Sequence, residues 1–324
     1  MRQKILILIA ALFVCGAALA KAPVKKYGKL KVVGRQLCDE NGSAVQIKGM
    51  SSHGLYWFAH CMNRSSMEVL AKDWKVDAVR FALYPKNYKD NPAYYTKQID
   101  ELVELAEELG LYCIIDWHAM DSGNPNKVLD DAKVFWEHMS KTHAGKEHVI
   151  YEICNEPNKT TWEEVKKYAN VIIPLIRKND KETVILVGTP DWSSNLAAAA
   201  KDPLSFENIM YTFHFYAKSH KNRKAFIEAI QQIPVFVSEW GTSSYNGDDG
   251  NDYESAAIWL DILAGNNPEQ LKISWMNWNL SDKPEASSVF KPGSGVRQEW
   301  DQLTETGEWI KKQFGKLRLY ESKN

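Results

Sequence analysis

Eight short apolar runs, each followed by a stretch with helical patterning, constrain the fold more than any other feature of this sequence. They are VQIKGM (45–50), AVRFAL (78–83), YCIIDW (112–117), VIYEIC (149–154), VILVG (184–188), IMYTFHF (209–215), VFVSEW (235–240) and ISWMNW (273–278). Near-continuous apolar runs suit parallel strands that are covered on both faces. The clearest helix lies between the second and third runs. Thr96 is its expected cap, Ile99, Leu102, Val103, Ala106 and Leu109 share one face, and Gly110 ends it. Thr161 to Glu164 reads as a capping box, and Pro174 predicts a kink in the helix that follows. Ser65 or Ser66, Asp252 and Thr304 are the expected caps of three more.

Eight strand–helix units in 324 residues predict an α/β chain folded as a (β/α)8 TIM barrel. The alternative is an open doubly wound sheet, but no glycine-rich phosphate loop follows an early strand. Residues 27–48 alternate and are expected to turn at Glu40-Asn41-Gly42, an Asn-Gly hairpin signal. There is no internal repeat, low-complexity linker or second module, so 21–324 read as a single domain.

Residues 1–20 read as a signal peptide. Arg2 and Lys4 are its positive start, Ile5 to Val14 its apolar run, and Ala18-Leu19-Ala20 its cleavage signal. The run is short for an uncleaved membrane anchor. A lipoprotein signal at Cys15 is disfavoured by the bulky Phe13 and Val14 before it. The expectation is export to the extracellular or periplasmic space, with no membrane association after cleavage. A formal net charge of -1 gives no sign of a nucleic-acid partner or an anionic membrane surface. Cys113 and Cys154 lie in apolar runs and read as buried thiols. Cys38 and Cys61 are left open as a disulfide pair. With no CxxC and no metal-ligand spacing, no metal or cofactor is expected. A monomer is expected.

Two of the strand ends carry chemistry. HVIYEICNEPN (148–158) is an apolar run that must stop at Pro157, which leaves Glu156 at the mouth of the sheet. IPVFVSEWG (233–241) ends the same way in Glu239, with Trp240 and Gly241 behind it. A strand-end glutamate also serves as a cap or an ion-pair partner. Two of them in one chain are what glycoside hydrolysis requires: one protonates the leaving oxygen, and the other attacks the anomeric carbon or activates a water. Tryptophans suit such a site because an aromatic face packs on the apolar face of a sugar ring, and the chain has 12.

NEP and SEWG, in this order and at this separation, resemble glycoside hydrolase family five, the cellulase and mannanase family built on a TIM barrel. The resemblance covers nearly all of the mature chain. It implies that the small N-terminal hairpin closes the barrel bottom, that Glu156 is the general acid/base and that Glu239 is the nucleophile of a retaining enzyme. The two carboxyl groups are then expected about 5–5.5 Å apart. Glu239 must be ionised, and Arg80 and the Tyr216 hydroxyl are the groups expected to lower its pKa. Glu156 must be protonated, through burial or a neighbouring negative charge. Asn155 is expected to bond the sugar 2-hydroxyl, with His118 and His214 around the same sugar. Tyr84 lies beyond the second strand and is placed among the substrate contacts. Trp57, Trp192 and Trp278 are expected as sugar platforms, whereas Trp74, Trp136, Trp259 and Trp309 fall in helix patterns and read as packing.

WNLSDKPE (278–285) is similar to the bacterial endoglucanase branch, which implies that Lys283 and Glu285 hold the sugar next to the cleaved one. His53 and Trp57 match the same subsite. Two loops depart from the pattern: Ala119 to Val128 is short, and Pro190 stands where related sequences tend to have glycine. The expected activity is that of a secreted endo-β-1,4-glucanase acting on cellulose or a related β-glucan polysaccharide by double displacement. The alternatives are the same mechanism on mannan, xyloglucan or mixed-linkage glucan, and a non-catalytic carbohydrate-binding barrel. A barrel enzyme for phosphorylated metabolites is disfavoured, because the loops after the last two strands carry tryptophan and acid instead of a phosphate cradle.

Overall fold

The computed structural model describes residues 21–321. The expected signal peptide and its cleavage site lie outside them. Two short antiparallel strands, β1 (Lys31–Val33) and β2 (Gln36–Cys38), precede eight parallel ones. These are β3 (Lys48–Ser52), β4 (Ala78–Leu83), β5 (Tyr112–Trp117), β6 (Val149–Glu152), β7 (Ile185–Val187), β8 (Ile209–Tyr216), β9 (Val235–Gly241) and β10 (Trp275–Leu280). They close in the order β10-β3-β4-β5-β6-β7-β8-β9, a complete barrel. The TIM-barrel expectation holds, and the open sheet is excluded.

The strand period of two sorts the apolar residues into two cores. Val79, Phe81, Cys113, Ile115, Tyr151 and Val187 face outward and pack with the helices. Ala78, Tyr112, Ile114, Ile150, Leu186, Met210, Phe236 and Met276 face the barrel interior. Leu30, Leu37, Val45 and Ile47 join this inner cluster, so the N-terminal hairpin plugs the barrel from below. The Tyr112 hydroxyl ties it down with a 2.5 Å hydrogen bond to the Gly28 carbonyl. Higher in the barrel the same inward positions turn polar: Arg80, Asp116, Glu152, Thr212 and His214 are all buried. Bottom and top therefore differ by chemistry along the same strands.

Several local expectations need correction. The hairpin turns at Gly34-Arg35, between Val33 and its partner Gln36. Asn41-Gly42 instead shapes the next turn, where Asp39 accepts from the backbone N–H groups of Asn41 and Ser43 and Cys38 bridges to Ala44. The helix expected to start at Thr96 begins at Pro92 and runs to Leu109. Its cap is Asn91, whose side chain accepts from Tyr94 N–H, and proline fits the first helical turn because no N–H is needed there. Asn63, with Ser66 as the reciprocal partner, caps Arg64–Val69. Thr161, Asp252 and Thr304 do accept from Glu164, Ser255 and Gly307 N–H as expected. The helix Trp162–Asn179 continues through Pro174. Strand β3 starts at Lys48 rather than Val45, since Val45 and Ile47 belong to the bottom plug. Cys38 sits in that plug while Cys61 follows the top of β3; both are free, buried thiols, which removes the disulfide.

Candidate active site

Arg80 is the centre around which the upper barrel is built. It is fully buried, and its guanidinium reaches Glu152 at 2.7 Å, Asp116 at 3.0 Å and Glu239 at 3.2 Å. It also donates to Asn155 Oδ1 at 2.6 Å and to Ser51 Oγ at 3.1 Å. Burial alone would weaken the cation, and the three carboxylates outweigh that and hold its proton more firmly than usual. A planar fork of donors is what allows one side chain to serve partners on four different strands or strand ends.

The two candidate catalytic glutamates enter this network from opposite sides. Glu239 takes Arg80 on one oxygen and the Tyr216 hydroxyl on the other, at 2.7 Å. Glu156 has His214 Nδ1 at 2.8 Å from Oε1. One carboxylate oxygen of each glutamate lies within 4.8 Å of the other's. Glu239 owes its inward aim to a bulge. Strand β8 pairs Thr212 with Phe236 but His214 with Glu239, so β9 carries one extra residue there. The β10 register repeats the shift, with Trp275 opposite Val237 and Asn277 opposite Trp240. The bulge lets neighbours Ser238 and Glu239 both serve the site, which regular alternation forbids.

His214 Nε2 lies 2.9 Å from Ser238 Oγ, and that hydroxyl donates to Glu152 Oε1 at 2.6 Å. Ser238 has a single proton, so with that proton on Glu152 the histidine Nε2 must donate to Ser238. Burial drives the His214 pKa down to about 4, so the ring is neutral and its Nδ1 accepts. The donor to Nδ1 is then the carboxyl proton of Glu156. Burial, with Asp116 and Glu152 nearby, raises the Glu156 pKa to about 8, against the lowering effect of Arg80. Hydrogen-bond accounting and electrostatics therefore agree that Glu156 is the protonated member.

Glu239 differs from expectation in one respect. Burial and the adjacent Glu156 raise its pKa, although His214, Arg80 and His118 act to lower it. The cause is the depth of the site: desolvation outweighs the partners that were expected to dominate. Glu239 remains the better-supported anion, because it accepts from a guanidinium and a hydroxyl while Glu156 has only the imidazole.

His118 is fixed by Asp116, 2.6 Å from its Nδ1, and its Nε2 lies 3.3 Å from Asn155 Nδ2. Burial lowers its pKa to about 3, so it too is neutral. Its ring stacks on Trp278, and Tyr84 packs beside it, 4.4 Å between centroids. The Trp278–Asn279 peptide is cis. Tyr84 in turn meets Trp57, and His53 lies between Trp57 and Trp278. Lys283 and Glu285 form an ion pair beyond β10, with Glu285 held by Asn279 and Ser287. Every expected residue on this side of the cleft thus falls into one connected wall. Trp57 and Trp192 are about half exposed. Trp192 stands apart on the loop after β7, where its backbone N–H donates to the Pro157 carbonyl. Trp74, Trp136 and Trp259 are buried, and Trp309 packs partly buried against the same core.

Three residues of the site escaped the sequence reading of roles: Glu152, Ser238 and Asp116. Glu152 left a signal, an acid in the middle of a run otherwise fit for a buried strand. Ser238 left none, because the bulge that turns it inward is not visible in sequence.

Comparison with known proteins finds relatives in sequence and in fold. The profile of the family described as cellulase (glycosyl hydrolase family 5) matches residues 38–284. Endoglucanase E-5 of Thermobifida fusca is 43% identical over 303 residues, which are 89% of this chain and 64% of that protein. An endoglucanase of Clostridium saccharobutylicum is 43% identical over 297 residues, covering 89% of this chain and 65% of that protein. The chain therefore spans somewhat under two thirds of these relatives. Among solved structures, cellulase Cel5C_n superposes with a TM-score of 0.87 at 43% identity, covering 90% of this chain and 94% of that one. A variant of the Thermobifida fusca Cel5A (E5) catalytic domain in complex with cellotetraose also gives 0.87, at 41% identity, covering 91% of this chain and all of that one.

Proposed function

The chain belongs to glycosyl hydrolase family 5, and from that premise we propose that it is a retaining endo-β-1,4-glucanase. Its substrate is cellulose or a related β-glucan. The observation that carries the reading is the carboxyl pair, Glu156 and Glu239, with oxygens within 4.8 Å. Retaining enzymes hold the two groups about 5–5.5 Å apart, whereas inverting ones leave about 6.5–9.5 Å for a water. The 43% identity to endoglucanases and a cellotetraose complex among the structural neighbours support the glucan.

In this reading Glu239 attacks the anomeric carbon as the carboxylate. Glu156 gives its proton to the departing glycosidic oxygen. The product is a glycosyl ester on Glu239, which removes that negative charge and lets Glu156, now ionised, act as base. Water adds to the anomeric carbon, its proton goes to Glu156, and Glu239 is released. His214 supports the exchange by bonding Glu156 through Nδ1 and Ser238 through Nε2. Asn155, held by Arg80, presents its amide toward the sugar's 2-hydroxyl. His53, Trp57, Tyr84, Trp278, Lys283 and Glu285 bind the chain on one side of the scissile bond, and Trp192 on the other.

The test is reducing-end release from soluble carboxymethyl-cellulose and from mannan by wild type and Glu239→Gln. Glucan cleavage abolished by the substitution supports the reading. Cleavage of mannan alone keeps the mechanism and moves the substrate. Full activity of Glu239→Gln contradicts the assignment of the nucleophile. The N-terminal segment supports export of the enzyme, and a mature N-terminus near Lys21 on protein recovered outside the cytoplasm checks it.

A further inference from the structure

A second convergence of ligating groups lies outside the carboxylate network. His60 and Cys61 follow the first turn above β3, and Asp282 follows β10, so sequence spacing gives no hint that they meet. Cys61 is fully buried, Asp282 nearly so, and His60 keeps about a third of its side-chain surface open, at 35%. His60 Nε2 lies 2.9 Å from Asp282 Oδ1, and Cys61 Sγ lies 3.4 Å from the same oxygen. All three ligand atoms fall within 4.8 Å of one another.

The surroundings hold these groups in place. Gly295 N–H donates to the other Asp282 oxygen at 3.1 Å. The Gly295 backbone comes so close that a Cβ there would stand 2.4 Å from Cys61 Sγ. The Asn63 side chain donates to the His60 carbonyl at 2.7 Å, and Asn63 itself caps the next helix. Among the described residues Asp282 pairs with the His60 imidazole, and no lysine or arginine nitrogen is within ion-pair distance of its carboxylate. The Asp282 carboxylate is satisfied by the imidazole, the thiol and the Gly295 N–H, and the first two of these are groups that can also ligate a cation.

We propose that His60, Cys61 and Asp282 form a zinc-binding site that fastens the loop after β3 to the loop after β10. An imidazole, a thiol and a carboxylate are the donor set zinc takes, with a water completing a tetrahedron. Zinc–ligand bonds of about 2.0–2.3 Å put ligand atoms about 3.3–3.7 Å apart, so the two contacts to Asp282 Oδ1 need to open by only a few tenths of an ångström, and His60 Nε2 and Cys61 Sγ already lie within 4.8 Å of each other. The proton balance is simple. Zn²⁺ binds the neutral imidazole and the carboxylate and displaces the Cys61 thiol proton to solvent. The dication then meets one thiolate and one carboxylate, and the cluster is neutral. The open edge of His60 is the entry path. The two loops joined in this way carry Trp57 and Lys283, so the metal would stiffen one wall of the cleft without touching the glutamates.

The experiment uses the full mature chain with reduced thiols. Cobalt(II) chloride is the spectroscopic probe and zinc chloride the competitor, with Cys61→Ser and His60→Ala as variants. The proposal expects a cobalt–thiolate absorption band in the near ultraviolet for wild type, abolished by zinc and absent in Cys61→Ser. It expects zinc affinity to fall by more than about tenfold in both variants, the least that loss of even an outer-shell partner costs. Zinc should raise the melting temperature of wild type and not of Cys61→Ser. The thiolate band distinguishes this site from adventitious binding at Glu156, His214 and Glu239, which have no sulfur. No thiolate band in wild type, or equal zinc uptake by wild type and both variants, overturns the proposal.

Discussion

Arg80 is the residue whose loss reaches furthest. Three carboxylates share its guanidinium, and breaking a buried ion pair by removing one partner costs about 3–5 kcal/mol. Arg80→Met should therefore lower unfolding free energy by at least that much in denaturant melts, and it should remove activity because Glu239 and Asn155 lose their common anchor. Glu156 makes a prediction about pH. Its pKa of about 8 lies above the ordinary value of 4.5, and in the proposed mechanism it is the acid. The free enzyme should lose kcat/KM as pH rises through about 8. The acid limb belongs to Glu239, which must be ionised, and it should lie above the ordinary glutamate value because burial raises that group. Glu156→Gln should cost about 10²–10⁴-fold in turnover of unactivated glucan and erase the alkaline limb. The same shift has a stability sign. A folded-state pKa above the unfolded one means that the folded protein binds the extra proton. Stability contributed by Glu156 is then lost as pH rises from about 4.5 to about 8. The melting temperature of Glu156→Gln relative to wild type should rise across that window.

At the scale of elements, apolar runs located the barrel strands, and the ends of those strands located most of the site. Legibility failed where tertiary contacts decide. Asn91 takes the place of Thr96 as the helix cap, because its side chain accepts from Tyr94 N–H and Pro92 fits the first turn. Asn91→Ala should cost about 1 kcal/mol by thermal melt with kcat unchanged. The β9 bulge was also hidden, and with it the role of Ser238. The loop after β7 carries a further feature: Asp191, Trp192 and Ser193 have φ of 57°, 56° and 54°. Three successive non-glycine residues in the left-handed region cost roughly 1–2 kcal/mol each. Such strain is tolerated where a side chain must be placed for use. Here the indole is half exposed while the Trp192 backbone is anchored to the Pro157 carbonyl. Trp192→Ala should leave folding nearly unchanged and lower kcat/KM on long glucans about tenfold, the effect of losing one aromatic anchor. An equal loss on a short chromogenic substrate that does not reach Trp192 would count against its placement as a platform.

At the scale of the whole molecule, the barrel divides its tasks by height. Apolar inward residues and the hairpin plug fill the bottom, and the same strands turn polar toward the top. The relation follows from a period of two along strands that all point one way, so one end of every strand meets one shared cleft. Tyr112→Phe, which removes the 2.5 Å bond to Gly28, should cost about 1 kcal/mol of stability and leave turnover intact. The central claim concerns the top: Glu239 forms a covalent bond to the sugar and Glu156 serves both steps. Its most direct test is the intact and peptide mass of the enzyme after exposure to a 2-deoxy-2-fluoro cellobioside with an activated leaving group. That compound slows release of the sugar more than its attachment. One glycosyl adduct per chain, on the peptide containing Glu239, is the predicted result. An adduct on Glu156, or none on enzyme that turns over the unmodified glycoside, would contradict the account.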